Sequence, residues 1–445
     1  MYIALPENVS MIIDTLYKHG YEAYAVGGCI RDSIMGRNPS DWDITTSAPP
    51  EQTKAIFKRT VDTGIKHGTI TVLIGNESYE VTTYRTDGEY EDSRHPKTVE
   101  FITNLEEDLK RRDFTINAMA YNEKDGLIDP FDGIGDIERK LIRCVGDPME
   151  RFSEDALRMM RAIRFSAQLS FKITKETEDA IKRLSMTLEK ISAERICDEL
   201  GKLIVSPHPE YIVKAYALGI TNVILPEFNM MMETAQNNPY HCYSVGIHTV
   251  RAMGYVENDF LLRLTMLLHD IGKPLVRTTD EQGIDHFRGH DTLGAEIAVK
   301  VMKRLKLDND TIRKVKILIY YHDWRMLADM RNVRYSVYKI GEELFPLHLK
   351  VQYADVMSHS DHNRKISLQN IYDKKACYEK IIAENQCVSL KKLKLTGRDV
   401  LELGCEPGPK VGDILNRTLE MVIDNPEKNQ HEFLREYASN LIKEE

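Results

Sequence analysis

Ala25-Val26-Gly27-Gly28-Cys29-Ile30-Arg31-Asp32, followed by Ser40-Asp41-Trp42-Asp43-Ile44, is the stretch on which the fold turns. Its first half has the pattern of a strand end running into a helix start. Gly27 and Gly28 remove side chains at the turn, so backbone can approach phosphate oxygens closely. Arg31 adds a fork of charged donors. On a strand, Asp41 and Asp43 would point one way and Trp42 and Ile44 the other. Two neighbouring carboxylates repel unless a cation sits between them. Hard oxygen ligands suit magnesium that arrives with a nucleotide. A Gly-Gly turn or an Asp-x-Asp pair taken singly is usually structural. Both at this spacing, with Arg31-Asp32 between, read as a phosphate cradle beside a metal pair, the apparatus of nucleotidyl transfer.

The remaining composition narrows the setting. The 445 residues allow three or four compact units, and a net charge of -9 excludes a generally basic coat. An RNA partner would be met by local basic patches such as residues 303–306 and 389–394. Seven cysteines without a Cys-x-x-Cys point to a reducing compartment. Residues 1–10 lack a basic lead and apolar run, and apolar stretches such as 261–268 are too short to span a bilayer. The expectation is a cytoplasmic protein.

Around the opening stretch, residues 9–18 have helical apolar spacing that His19-Gly20 ends. Residues 69–74 and 79–85 are β-branched and alternate, which predicts a hairpin about Gly75-Asn76 with Glu80 on one strand. Residues 87–96 are charged and aperiodic and read as a loop. In Arg111-Arg112-Asp113-Phe114-Thr115-Ile116-Asn117, the four-residue spacing would set Asp113 and Asn117 one helical turn apart, facing one cleft. Asp129-Pro130-Phe131-Asp132-Gly133 closes this α/β unit with a turn.

From Glu150 onward the period is helical. In residues 154–165, Asp155, Arg158, Arg161 and Arg164 recur every three residues, with Leu157, Met160 and Ile163 free for a core. Such a stripe is most often a wet face. Here Asp155 and Arg158 could both reach one base edge: the carboxylate accepts from the exocyclic amine of C or A while the arginine donates to its neighbour. U and G present an oxygen there and leave the carboxylate unpaired. Ser192 is the expected cap of a further helix whose Glu194 and Arg195 carry no direct chemistry.

Nine of the fourteen histidines lie between His241 and His362, which selects that region for metal chemistry. His248, His269-Asp270, His290 (or His286), His322 and Asp355, on successive helices, could hold one or two divalent metals and activate water.

Together these motifs resemble the class II tRNA nucleotidyltransferase and bacterial poly(A) polymerase family, within the polymerase-β superfamily. The resemblance implies an α+β chain with a nucleotidyltransferase head (1–145) and all-α neck (146–205), body (206–365) and tail (366–445). It implies Mg2+ at Asp41 and Asp43, with Glu80 as the third carboxylate. Gly28, Arg31 and Arg112 would meet the triphosphate, Asp113 and Asn117 the ribose, and Asp155 and Arg158 the base, with Arg161 and Arg164 completing the contact. The loop at 87–96 would serve A addition, and the segment from Leu395 would hold the tRNA elbow. The substrates implied are CTP, ATP and a tRNA 3' end that receives C, C and A. A poly(A) polymerase or an A-only enzyme is the neighbouring alternative. The histidine set resembles an HD metal-dependent phosphohydrolase domain. A rival reading makes that domain the enzyme and the head an RNA dock, and a tRNA-binding chaperone is a third.

Overall fold

The computed structural model describes residues 1–88, 99–238 and 243–444. Most of the charged loop at 87–96 lies outside the described residues, as does His241. The chain divides into two compact units, 1–226 and 227–445.

In the first unit, α1 (Glu7–Lys18) buries Val9, Ile12, Ile13 and Leu16 on one face. That face packs on a sheet whose inward residues include Ala25, Ile44, Val72 and Val81. The elements follow as β1 (Ala23–Val26), α2 (Gly28–Ile34), β2 (Asp43–Thr46), α3 (Pro50–Ile56), β3 (Thr60–Gly64), β4 (Thr69–Ile74) and β5 (Glu77–Thr83). A two-strand ribbon, β6 (Arg85–Asp87) with β7 (Val99–Phe101), comes next, and β8 (Ala120–Asn122) and β9 (Gly126–Ile128) complete the sheet. The strand order is β3-β4-β5-β2-β1-β8-β9. Within this sheet, among the described residues, β2 and β5 pair in parallel, with Ile44 opposite Val81, and the other neighbours are antiparallel. The hairpin expected about Gly75 is β4–β5, and Gly75 takes φ +59°. The short strand β3 was not legible, because its residues are mostly exposed and lack alternation.

The helical neck holds α6 (Pro148–Glu154), α7 (Leu157–Leu169), α8 (Lys175–Leu184) and α9 (Ala193–Ile204), after α4 (Leu105–Lys110) and α5 (Gly133–Arg139). The helix expected through 154–165 breaks at Asp155, whose backbone is extended (φ -141°, ψ 104°). The arginine stripe therefore starts one turn later than its spacing suggests. Ser192 does stand at the N-cap of α9, but its side chain makes no capping bond. Helices α10 (Ile212–Ala217) and α11 (Thr221–Ile224) end the unit.

Among its described residues the second unit is built of helices and one two-strand ribbon, Thr278–Thr279 with Asp285–His286. It holds α12 (Pro226–Glu233), α13 (Val245–Met253), α14 (Phe260–Leu268), α15 (Lys273–Val276), α16 (His290–Arg304), α17 (Asn309–Tyr321), α18 (Met330–Ile340), α19 (Phe345–Ser358) and α20 (Arg364–Ala383). A last core packs Ile414, Leu419, Val422, Leu434 and Ala438 of the C-terminal helices. No helix among the described residues is long and apolar enough to cross a membrane.

Candidate functional site

The strand β1 ends at Val26, opposite Asp43 at the first position of β2. Asp41 and Trp42 precede the strand, so the alternation expected over 41–44 is real only from Asp43. The acidic pair still converges. Desolvation by surrounding protein raises the Asp43 carboxyl above its usual value, the Arg112 guanidinium lowers it, and Asp41 raises it. Glu80, on β5 beside β2, is also raised, first by desolvation and then by Asp43 and Asp41. Asp43 thus feels the charge of Asp41, and Glu80 feels both, where β2 and β5 run side by side within the sheet.

The glycine turn beside them is built for cations. Gly27 takes φ +86°, and a Cβ there would stand 3.2 Å from Arg112 Nη1. Any side chain would be both strained and in contact with that guanidinium. Arg112 Nε is buried without a hydrogen bond, and its Nη2 lies 3.6 Å from Asp108 Oδ2. A Cβ on Gly28 would be 3.6 Å from Arg31 Nη2. Arg31 Nη1 donates to Asn117 Oδ1 at 2.7 Å, and Asn117 Nδ2 donates to Asp113 Oδ1 at 3.1 Å. Asp113 and Asn117 therefore meet, but not through an α-helical turn. Phe114 is extended and residues Thr115–Asn117 form a 3-10 turn.

Neck and head are joined at the same place. Arg161 Nε donates to Asp113 Oδ2 at 2.7 Å. Arg164 Nε donates to the buried Glu199 at 2.6 Å, so this arginine faces an acid of α9 in the closed neck. The buried Phe165 ring carries Arg164 at 4.0 Å, Arg31 at 5.1 Å and Arg161 at 5.3 Å from its centroid. Sequence reading passed over Phe165 and Glu199, since an aromatic and an acid at helical spacing look like ordinary packing.

Asp155 and Arg158 do not pair. Arg195 Nη2 donates to Asp155 Oδ2 at 2.7 Å and Nη1 to Oδ1 at 3.3 Å. Arg158 instead reaches Glu154 at 2.6 Å and the carbonyls of Arg151 and Arg111. The extended backbone at Asp155 separates the two side chains that an unbroken helix would have stacked.

The second unit gathers the histidines. Both Asp270 oxygens are buried without an aligned hydrogen bond, although Lys273 Nζ lies 2.7 Å from Oδ2. His248 and His269 Nε2 stand 3.4 and 3.3 Å from Asp270 Oδ2, while His290 and His322 Nε2 stand 3.6 Å from Oδ1. Asp355 Oδ1 is 3.0 Å from His248 Nε2. The Nδ1 atoms of His269, His290 and His322 face the carbonyls of Met266, Phe287 and Ile319 at 2.7, 2.7 and 2.6 Å. Those contacts turn each Nε2 toward the cluster, the atom through which a neutral imidazole binds a metal. Gly272 permits this closure: a Cβ there would fall 2.3 Å from His290 O, at the start of α16.

Burial opposes ionisation of Asp270, yet His269 and Lys273 hold its carboxyl well below the usual range. Burial pushes His248 down to about 4, while Asp270 and Asp355 overcome burial and carry His269 up to about 10. His359, which sequence reading missed, lies 3.4 Å from Asp355 Oδ1 and completes a third ligand triad. The alternative His286 is exposed and bonded to Asp280, outside the cluster.

Comparison with known proteins places this architecture. The family described as "Poly A polymerase head domain" matches residues 23–143, "Probable RNA and SrmB- binding site of polymerase A" matches 170–232, and "tRNA nucleotidyltransferase domain 2 putative" matches 290–438. A CCA-adding enzyme of Lactobacillus helveticus is 34% identical, over 97% of this chain and 96% of its own. The chain belongs to the CCA-adding enzyme family. A second CCA-adding enzyme, from Levilactobacillus brevis, is 37% identical over 92% of both chains. The crystal structure of the Bacillus stearothermophilus CCA-adding enzyme in complex with CTP superposes with a TM-score of 0.70 at 29% identity, covering 97% of this chain and 96% of that one. A CCA-adding enzyme is a divalent-metal-dependent nucleotidyltransferase that completes tRNA 3' ends without a nucleic-acid template.

Proposed function

We propose that Asp41, Asp43 and Glu80 form the reacting centre for joining C, C and A, from CTP and ATP, to a tRNA 3' end. The observation that carries this assignment is the charge of Asp41 acting on Asp43, and of both acting on Glu80, beside Arg112, whose Nε is buried without a hydrogen bond. Their donor set is all oxygen, which suits Mg2+. Bound there, the metal would supply charge stabilisation at the phosphorus and the leaving pyrophosphate. Gly28, Arg31 and Arg112 position the triphosphate. Asp113 and Asn117 hold the ribose, braced by Arg31 and Arg161. Asp155 and Arg158 read the base edge, with Arg161 and Arg164 behind them. The working segments are the head (1–145), neck (146–205), body (206–365) and tail (366–445), with the tail on the tRNA. The unbridged thiols of Cys29, Cys144, Cys197, Cys377, Cys387 and Cys405 fit a cytoplasmic site of action. Incubation of the protein with tRNA lacking CCA and single nucleotides tests the reading. CTP incorporation twice, then ATP once, is expected, and absence of CTP incorporation refutes it.

A second reading concerns the histidine cluster. The convergence of the Asp270 oxygens, which lack an aligned hydrogen bond, with the inward Nε2 atoms favours one or two divalent metals on His248, His269, Asp270, His290, His322 and Asp355. Such a centre supports phosphoester hydrolysis in addition to nucleotide transfer. The adjoining cavity of about 760 Å³ is lined by the cations Lys273, Arg288, Arg325 and Lys339, the rings of Tyr321 and Trp324, and the acids Asp285, Asp291 and Asp323.

A further inference from the structure

Lys374, on α20, is 5% exposed. Its Nζ donates to Gln352 Oε1 at 3.2 Å, and no carboxylate among the described residues lies within ion-pair distance of it. The charge acting on it is the like charge of Arg325. Burying an ammonium without a counter-ion is costly: the group gives up its proton more easily, or an anion from outside the chain supplies the missing charge.

The side chain lines a cavity of about 270 Å³ together with Arg325, Asp355, His359, Arg364 and Asn370. The other cations there are already matched: Arg325 Nε to Asp323 at 2.8 Å, and Arg364 to Asp361. Asp355 is held by His248 and His359. Lys374 is left as the one lining cation without an acid of its own among the described residues. Arg325, Asp355 and His359 also line the larger cavity over the histidine cluster, so the two spaces adjoin at that cluster.

We propose that Lys374 anchors an anion site for a phosphate group beside the histidine–aspartate cluster. The amide of Gln352 orients the ammonium, and the phosphate supplies the missing negative charge. Burial and Arg325 push the ammonium down to about 8, so it is still mostly protonated near neutral pH. A bound oxyanion would restore its basicity. The site itself needs no metal; only its place beside a reacting centre rests on the second reading above.

The test is phosphate binding by the full chain near neutral pH, measured by calorimetry and by the phosphate-induced rise in Tm, against chloride at equal ionic strength. It is run in chelator and again with Mn2+. Lys374→Met is expected to weaken phosphate binding about tenfold or more and to lose the Tm rise, while Lys374→Arg keeps both. CCA addition by Lys374→Met, expected unchanged, reports that the chain is folded; Lys374→Gln serves if it is not. A parallel titration with AMP shows whether the occupant is free phosphate or a phosphoester, by which of the two Lys374→Met weakens. Equal phosphate binding by wild type and Lys374→Met, or binding by neither, overturns the proposal even if Mn2+ binds the cluster. Lys374-dependent phosphate binding without Mn2+ uptake upholds it and removes the metal reading instead.

Discussion

Arg195 grips Asp155 from a helix away: two guanidinium nitrogens lie 2.7 and 3.3 Å from its two oxygens. The carboxylate proposed to read C and A is thus oriented by a residue that need not touch the nucleotide. Arg195→Ala is expected to weaken CTP and ATP use by roughly 10- to 100-fold, the value of a charge-assisted pair. Misincorporation of UTP should rise with it, while Arg195→Lys recovers part of the discrimination. Steady-state incorporation with each nucleotide measures this. Unchanged selectivity in Arg195→Ala would refute the orienting role.

Removing an acid from the triplet should act on chemistry and leave the fold intact. Asp43→Ala is expected to lower kcat by about 1000-fold or more, since charge stabilisation by a metal is worth several kcal/mol. Glu80→Gln should cost less, because Glu80 stands one strand away. Incorporation rates beside circular dichroism melts decide it. Nucleotide addition surviving in the Asp41 and Asp43 alanine variants would move the reaction elsewhere.

The Arg164–Glu199 pair ties α7 to α9 at 2.6 Å, with both side chains buried. Glu199→Ala leaves the guanidinium buried without its acid, so a loss of about 3 kcal/mol in stability is expected. Glu199→Gln should lose less. Thermal or urea unfolding reads the difference.

Asp113 supplies a pH signature. Burial opposes its ionisation, but Arg161, Asn117 and Arg158 outweigh burial and hold it at about 2. Its folded value lies below the unfolded one of about 3.9, so its ionised form stabilises the fold above that pH and the gain is lost as pH falls toward 2. The effect is of order 2 kcal/mol. Asp113→Asn should therefore flatten the acid limb of stability between about pH 4 and pH 2. An identical limb in both proteins would contradict the ion pair.

The histidine cluster predicts metal uptake independent of nucleotide addition. With the acids of the head replaced, the chain is expected to retain Mn2+, and Asp270→Asn should release it and remove the Mn2+-dependent rise in Tm. In the otherwise unaltered protein, Asp270→Asn should leave CCA addition within about twofold, because none of the residues assigned to nucleotide transfer belongs to the cluster. Elemental analysis after gel filtration checks the first, and tRNA assays the second.

Legibility followed chain distance. The glycine turn, the β4–β5 hairpin, α1 and the ordered histidines were all readable, since each is a pattern among near neighbours. The strand expected from Asp41 begins only at Asp43, and the helix expected through Asp155 breaks there. Periodicity is blind to a single extended residue when the apolar spacing on either side continues.

Sequence by itself determined the chemistry that each segment carries: the glycine turn with its acids, the Arg-Arg-Asp stretch, and the histidines in order. It did so because hydrophobic period and turn residues act over a few positions. Tertiary structure alone decided which charge meets which. Arg195 reaches Asp155 across 40 residues, Arg161 reaches Asp113 across 48, and His248 reaches Asp355 across 107. His359 joined the cluster, and Lys374 was left without an acid, only once α19 and α20 had packed. A buried charge is settled by whatever packing brings within a few ångströms of it, and no local pattern encodes that.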